Sequence, residues 1–240
     1  MKLKSNIAPT LLLLFIVCAL NAQTIISEEE LLGKGNPDMT SGDGYRLRPE
    51  AAQAFELLKT AALKDGISIK VVSSYRDYDH QNRIWERKYK RFRESGLTPL
   101  KSIEKIIEYS TIPGTSRHHW GTDIDLIDST PKVKGDVLVP SKFHGTGPFC
   151  KFKEWMDAHA NEYGFYLVYT DAINRKGFKY EPWHYSYKPL SQEYLKEYKK
   201  LDIQVRLGAA QLMGAGYFTK DFINRYRTEN IMDINPALLD

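Results

Sequence analysis

The chain has 240 residues, enough for one ordinary catalytic domain that buries its core without disulfide help. Hydrophobic residues at 42% and charged residues at 27% are ordinary globular proportions, which excludes general disorder and a multi-span membrane protein. Residues 1–22 carry Lys2 and Lys4 and no acid, so the formal charge of +4 falls to +2 without them, too little to argue for a nucleic-acid partner.

Lys2 and Lys4 precede the apolar run Leu11 to Leu20, and small Ala22 is followed by polar Gln23, which is the grammar of a signal peptide cleaved after Ala22. The apolar run is too short for a permanent membrane helix, which needs roughly 20 residues. Acylation at Cys18 is the weaker alternative, because Val17 is bulky where a lipoprotein signal has a small side chain. The expected location is therefore periplasmic or extracellular. Of the two cysteines, only Cys150 stays in the mature chain, so no internal disulfide is expected, and Cys150 reads as a small packing residue.

Residues 23–48 read as a lead-in segment rather than an independent domain. Pro49 suits a first helical position, and Ala51, Ala52, Phe55, Leu58 and Ala62 recur at helical spacing until Gly66. Alternation from Ile67 to Val72 predicts a strand that delivers Ser73, Ser74, Tyr75 and Arg76 at its exit. Asp77 can cap a helix running to Glu94, with Tyr78, Ile84, Trp85, Tyr89 and Phe92 on its inner face, and a shorter helix is expected over 101–109. The basic stretch Arg87 to Arg93 of the longer helix reads as a solvated face.

Pro113 and Gly114 then open a loop that enters a strand near Leu126, and the Gly- and Pro-rich residues 128–148 form a long surface loop. A helix from Phe149 to Tyr163 stops at Gly164, Phe165 to Tyr169 reads as strand, and Phe178 to Tyr187 as its hairpin partner. Leu190 to Met213 reads as one helix, and residues 215–240 carry no legible chemistry. The expected organisation is a signal peptide (1–22), the lead-in (23–48), one domain (49–214) and a tail (215–240).

The chemistry lies in two segments. A catalytic zinc ion takes three protein ligands and keeps one position for water, and two histidines with one carboxylate make such a set. His118 and Asp125 lie seven residues apart across a turn at Gly121, so a loop and the strand it enters can bring them to one point, and His184 can join from the neighbouring hairpin. Glu181, three residues before His184 and stiffened by Pro182, places a carboxylate near the metal, where a general base belongs. His80, His144 and His159 read as ordinary surface or packing residues, and His119 as support or rim.

Ser116-Arg-His118-His-Trp-Gly121-Thr-Asp-Ile-Asp125 resembles the S-x-H-x-x-G-x-A-x-D motif of zinc D-alanyl-D-alanine carboxypeptidases and dipeptidases, the VanY-like family, and Glu181-Pro-Trp183-His184 resembles their E-x-W-H. Ser74-Tyr75-Arg76-Asp77, with Gln81 beyond, is similar to the family's S-G-Y-R-S segment. The resemblance implies an α+β hedgehog/DD-peptidase fold, a small antiparallel sheet flanked by helices. It implies one zinc on His118, Asp125 and His184, Glu181 as the base, and Arg76 stabilising the polarised carbonyl. Ser116, Gln81, Ser74, Tyr75 and Trp183 would border the peptidoglycan stem peptide. The family's alanine is Asp123 here, expected either to orient a ligand histidine or to meet the substrate.

The expected activity is hydrolysis of the terminal D-Ala-D-Ala bond. L,D-carboxypeptidase, dipeptidase and stem endopeptidase activities are the alternatives within the class, and a non-catalytic zinc-bearing wall-binding module is the alternative outside it. Glu181 favours an enzyme, since a binding module has no use for a free carboxylate beside the metal.

Overall fold

A computed structural model describes residues 26–239. The expected signal peptide and Cys18 lie outside them. Among the described residues, no helix is long and apolar enough to cross a membrane.

The lead-in is part of the folded body. It contains the short helix α1 (Glu28–Leu31) and the hairpin β1 (Thr40–Gly42) and β2 (Tyr45–Leu47), and it buries Leu31, Leu32, Tyr45 and Leu47. Helix α2 (Pro49–Lys64) starts at its proline and buries the five residues read as its apolar stripe. Strand β3 (Ile69–Ser73) leads into α3 (Tyr78–Glu94), whose N-terminus is capped by Asp77 accepting the His80 amide at 2.7 Å. Helix α4 (Pro99–Ile106) starts two residues earlier than expected, with Pro99 at its first position and Thr98 as cap.

Beyond it come strand β4 (Asp123–Asp128), helix α5 (Cys150–His159) with a 3-10 turn to Tyr163, and strands β5 (Phe165–Leu167) and β6 (His184–Tyr187). Gly164 ends that turn in the left-handed conformation at φ 78°. Cys150 opens α5 only half-buried, so it is less enclosed than a packing residue. The hairpin partner is shorter than the aromatic pattern suggested: only 184–187 pair, and 178–183 are irregular.

The helix expected over 190–213 is broken. Helix α6 (Lys188–Tyr198) ends before Asp202, which caps α7 (Ile203–Gly208) by accepting the Val205 amide. A side chain that binds backbone amides starts a new helix more readily than it continues an old one. The tail is folded as well: α8 (Lys220–Tyr226) buries Phe222, Ile223 and Tyr226.

Strands β3, β4, β6 and β5 form, in that order, an antiparallel sheet. Its two faces do different work. Ile124 and Leu126 of β4 and Tyr185 and Tyr187 of β6 point into a core shared with α2 and α5. Strand alternation puts Asp123 and Asp125, with His184 and Ser186, on the other face. A second core gathers α3, α4 and α6 to α8 around Trp85.

Trp85 is fully buried, packs edge-on against Phe218 at 6.0 Å and donates its indole N–H to the Met213 carbonyl at 2.9 Å. The tail is thus fastened to α3. Trp85→Ala should destabilise the fold by about 3–5 kcal/mol, read by denaturant unfolding; a loss under about 1 kcal/mol would show that this core collapses around the gap.

Candidate metal centre

Register sets the site. Asp125 pairs directly with His184 across β4 and β6, so a carboxylate and an imidazole start as cross-strand neighbours on the polar face. His118 arrives from a single 3-10 turn, Arg117–Trp120, capped by Ser116, whose Oγ accepts the His118 amide. Gly121 joins that turn to β4 at φ 71°, where a Cβ would stand 2.4 Å from the Met39 methyl. Only glycine fits both the backbone and the space.

The ligand atoms of His118, Asp125 and His184 lie within 4.8 Å of one another, and all three residues are buried. His118 Nε2 is 3.5 Å from Asp125 Oδ2, and His184 Nδ1 is 3.9 Å from Asp125 Oδ1. Ligands on a tetrahedral zinc are about 3.3 Å apart, so these separations need little adjustment. Asp125 Oδ1 is buried without a hydrogen-bond partner, an arrangement a cation would satisfy. The donor set, two imidazoles and one carboxylate, suits zinc.

The ring orientations are already set. His118 Nδ1 lies 2.8 Å from the Ser74 carbonyl, and as donor there it leaves Nε2 as the lone pair facing Asp125. Burial, then the Arg76 charge, lowers the His118 imidazole to about 4. His184 contacts Asp123 through Nε2 at 2.9 Å and Glu181 through Nδ1 at 3.0 Å. Burial alone would depress His184, but its hydrogen bonds to Asp123 and Glu181 and the Asp125 charge outweigh it and lift the imidazole to about 9.

Glu181 is buried beside this cluster, and burial pushes its carboxyl above the ordinary range despite the opposing His184 contact. Arg76 sits at the exit of β3, its Nη2 3.9 Å from Asp125 Oδ2. Arg76, Ser116, His118, Glu181 and His184 line one cavity, together with Tyr109 and Tyr169. Tyr169 packs edge-on to His184 at 5.1 Å and had no signal in the sequence beyond its place at a strand end.

Several residues read as substrate contacts are occupied elsewhere. Gln81 is 0% exposed: its Oε1 accepts from Arg76 Nη1 at 3.0 Å and its Nε2 donates to the Thr111 carbonyl. These contacts tie it to the arginine. Asp123 is also 0% exposed, behind His184, and so is not placed to meet a substrate. Arg117 and its hydrogen bond to Asp123 went unnoticed, although both lie in one motif. Ser74 is buried under Arg46, whose amide it accepts, and Tyr75 lies beneath the Arg46 guanidinium at 5.1 Å. Trp183 packs between Phe143 and Tyr109 and belongs to the core shared with α2 and α5. His119 is fully buried, with Nδ1 2.6 Å from the Arg76 carbonyl and Nε2 accepting the Gly114 amide, so it ties the loops carrying Arg76 and His118 together.

The chain is similar in sequence and in fold to known proteins. YodJ of Bacillus subtilis (strain 168) is 29% identical over 142 residues, 59% of this chain and 46% of YodJ. The bifunctional D-Ala-D-Ala dipeptidase and D-Ala-D-Ala carboxypeptidase VanXYC of Enterococcus gallinarum is 33% identical over 144 residues, 59% of this chain and 66% of that protein. The aligned region thus spans about half to two-thirds of these relatives. A structure of a mutant vancomycin-resistance D,D-pentapeptidase VanY in complex with Zn(II) superposes with a TM-score of 0.52 at 23% identity, covering 69% of this chain and 90% of that one, and so shares the fold. The family model for VanY, D-alanyl-D-alanine carboxypeptidase, matches residues 44–190, a stretch that holds the whole cluster. The chain belongs to the VanY family of D-alanyl-D-alanine carboxypeptidases.

Proposed function

We propose that this protein is an exported zinc carboxypeptidase that hydrolyses the terminal D-Ala-D-Ala bond of peptidoglycan stem peptides, with His118, Asp125 and His184 holding the metal. The observation that carries the reading is Glu181: a buried carboxyl whose proton affinity is raised by burial, 3.0 Å from the metal-facing nitrogen of His184 yet outside the ligand set. That is the position a general base needs, and burial shifts the carboxyl in the direction that makes it a stronger base.

Zinc held by His118, Asp125 and His184 would supply Lewis acidity to the site. Glu181 accepts the proton of the attacking water and returns it to the departing amine of the terminal D-alanine. Arg76 offers guanidinium donors to the carbonyl oxygen as negative charge grows on it, and Gln81 and His119 hold the arginine and its backbone in place. Buried Tyr169 keeps its phenol proton, raised well above its usual value by burial and then by Glu181, and serves as neutral wall beside the reaction.

Mass spectrometry of muropeptides incubated with zinc-loaded protein tests the assignment. A pentapeptide stem should lose one alanine. Loss of both alanines together, trimming of the tetrapeptide alone, or an internal cut would move the assignment to the dipeptidase, L,D-carboxypeptidase or endopeptidase activity. Unchanged masses would overturn the catalytic reading in favour of a binding module.

A further inference from the structure

Two carboxylates stand two residues apart on the same face of β4, and they address the two nitrogens of one histidine. Asp125, opposite His184 in the register, lies on the Nδ1 side at 3.9 Å; Asp123, one step back along the strand, reaches Nε2 at 2.9 Å. Asp123 has no capacity left for anything else. Its Oδ2 takes Arg117 Nε at 2.8 Å besides His184, and its Oδ1 takes Thr122 Oγ1 at 2.9 Å and Ser186 Oγ at 2.6 Å. Four donors fill the lone pairs of a carboxylate.

The second imidazole is held differently. His118 is backed by a neutral carbonyl of Ser74, whereas His184 is backed by a full negative charge. That charge is itself supported: Arg117 is almost wholly buried, pairs with Asp123, bonds Ser186 through Nη2 at 2.7 Å and stacks its guanidinium over Trp120 at 4.7 Å. A buried guanidinium is retained only where its charge is met, so Arg117 and Asp123 form one unit.

We propose that Asp123, supported by Arg117, is the positioning carboxylate of the metal site: by accepting the Nε2–H of His184 it fixes the ring with Nδ1 towards the metal and makes that nitrogen a stronger donor. The inference rests on the metal site proposed above. A carboxylate behind a ligand histidine orients it and raises its basicity, and losing such a partner typically costs about 10–100-fold in metal affinity. The motif places a small residue at this position, so the Asp123–Arg117 unit is a feature this chain adds to the three ligands.

The test is zinc affinity measured by competition with a chelator at fixed pH, alongside the thermal stability of the protein with zinc removed. Asp123→Asn keeps the shape and removes the charge, and should weaken zinc binding by about 10–100-fold. The double variant Arg117→Gln with Asp123→Asn leaves no unpaired buried charge and guards against misfolding; it should show the same loss. Cobalt(II) in place of zinc should give shifted visible absorption bands in both variants, because donor strength at one ligand has changed. Wild-type zinc affinity and an unshifted cobalt spectrum in whichever variant folds would overturn the proposal, as would lowered thermal stability with unchanged affinity. A wild-type protein that binds no zinc would instead overturn the metal site itself.

Discussion

Glu181→Gln should keep its zinc and lose about 10²–10⁴-fold in kcat, because the amide preserves the shape of the carboxyl and cannot take the proton. That range corresponds to about 3–5 kcal/mol of barrier. Position and environment both argue for a large effect. Glu181 is buried beside the metal-binding cluster, and its amide donates to the Tyr169 carbonyl at 3.1 Å, which holds the backbone that carries the carboxyl. Steady-state kinetics on a D-Ala-D-Ala-terminated peptide, with zinc content measured on the same sample, reads the result. The loss should fall on kcat with KM little changed, since a proton acceptor acts in the transition state rather than in substrate binding. A zinc-loaded Gln variant within about threefold of wild type would end the role of Glu181 as base.

Replacing a ligand imidazole should abolish both metal and activity, and the two histidines should differ in what else they cost. His118→Ala removes a ring whose second nitrogen meets only the Ser74 carbonyl. His184→Ala also strips Asp123 and Glu181, both buried, of the contacts at 2.9 and 3.0 Å. Asp123 keeps Arg117, Thr122 and Ser186, but Glu181 becomes a buried acceptor without its donor, which costs about 1–3 kcal/mol, more where the group is charged. Both variants should therefore contain no stoichiometric zinc and show no turnover, while His184→Ala should melt well below His118→Ala when both are compared without metal. Metal analysis and thermal denaturation separate the two effects. Full zinc occupancy in either variant would remove that histidine from the ligand set, and equal melting would show that Glu181 finds another partner.

The chain's motifs were legible because they are local. The spacing of His118, Gly121 and Asp125 is a property of one turn and the strand it enters, and that of Glu181 and His184 of one strand entry, so counting residues was enough to place them. Helix starts were readable for the same reason: Asp77 and Pro49 act on amides and torsions within a few residues of themselves. The break near Asp202 escaped because its capping side chain competed with a pattern that otherwise continued.

The roles of Asp123 and Gln81 were decided by the tertiary structure. Whether a carboxylate on the polar face of β4 meets metal, substrate or histidine depends on what lies across the sheet, and the partner of Asp123 stands 61 residues away in the chain. Gln81 shares a motif segment with Arg76, but its burial against the Thr111 carbonyl follows from how α3 packs. The same holds for the tail, whose Phe218, Phe222 and Tyr226 recur at helical spacing but acquire a partner only in the core around Trp85. Sequence by itself determined which residue types carry the chemistry, since coordination and proton transfer require those atoms at short range. Only the tertiary structure decided which side chains line the cavity and which hold the others in place, because hydrogen-bond partners are chosen by three-dimensional packing.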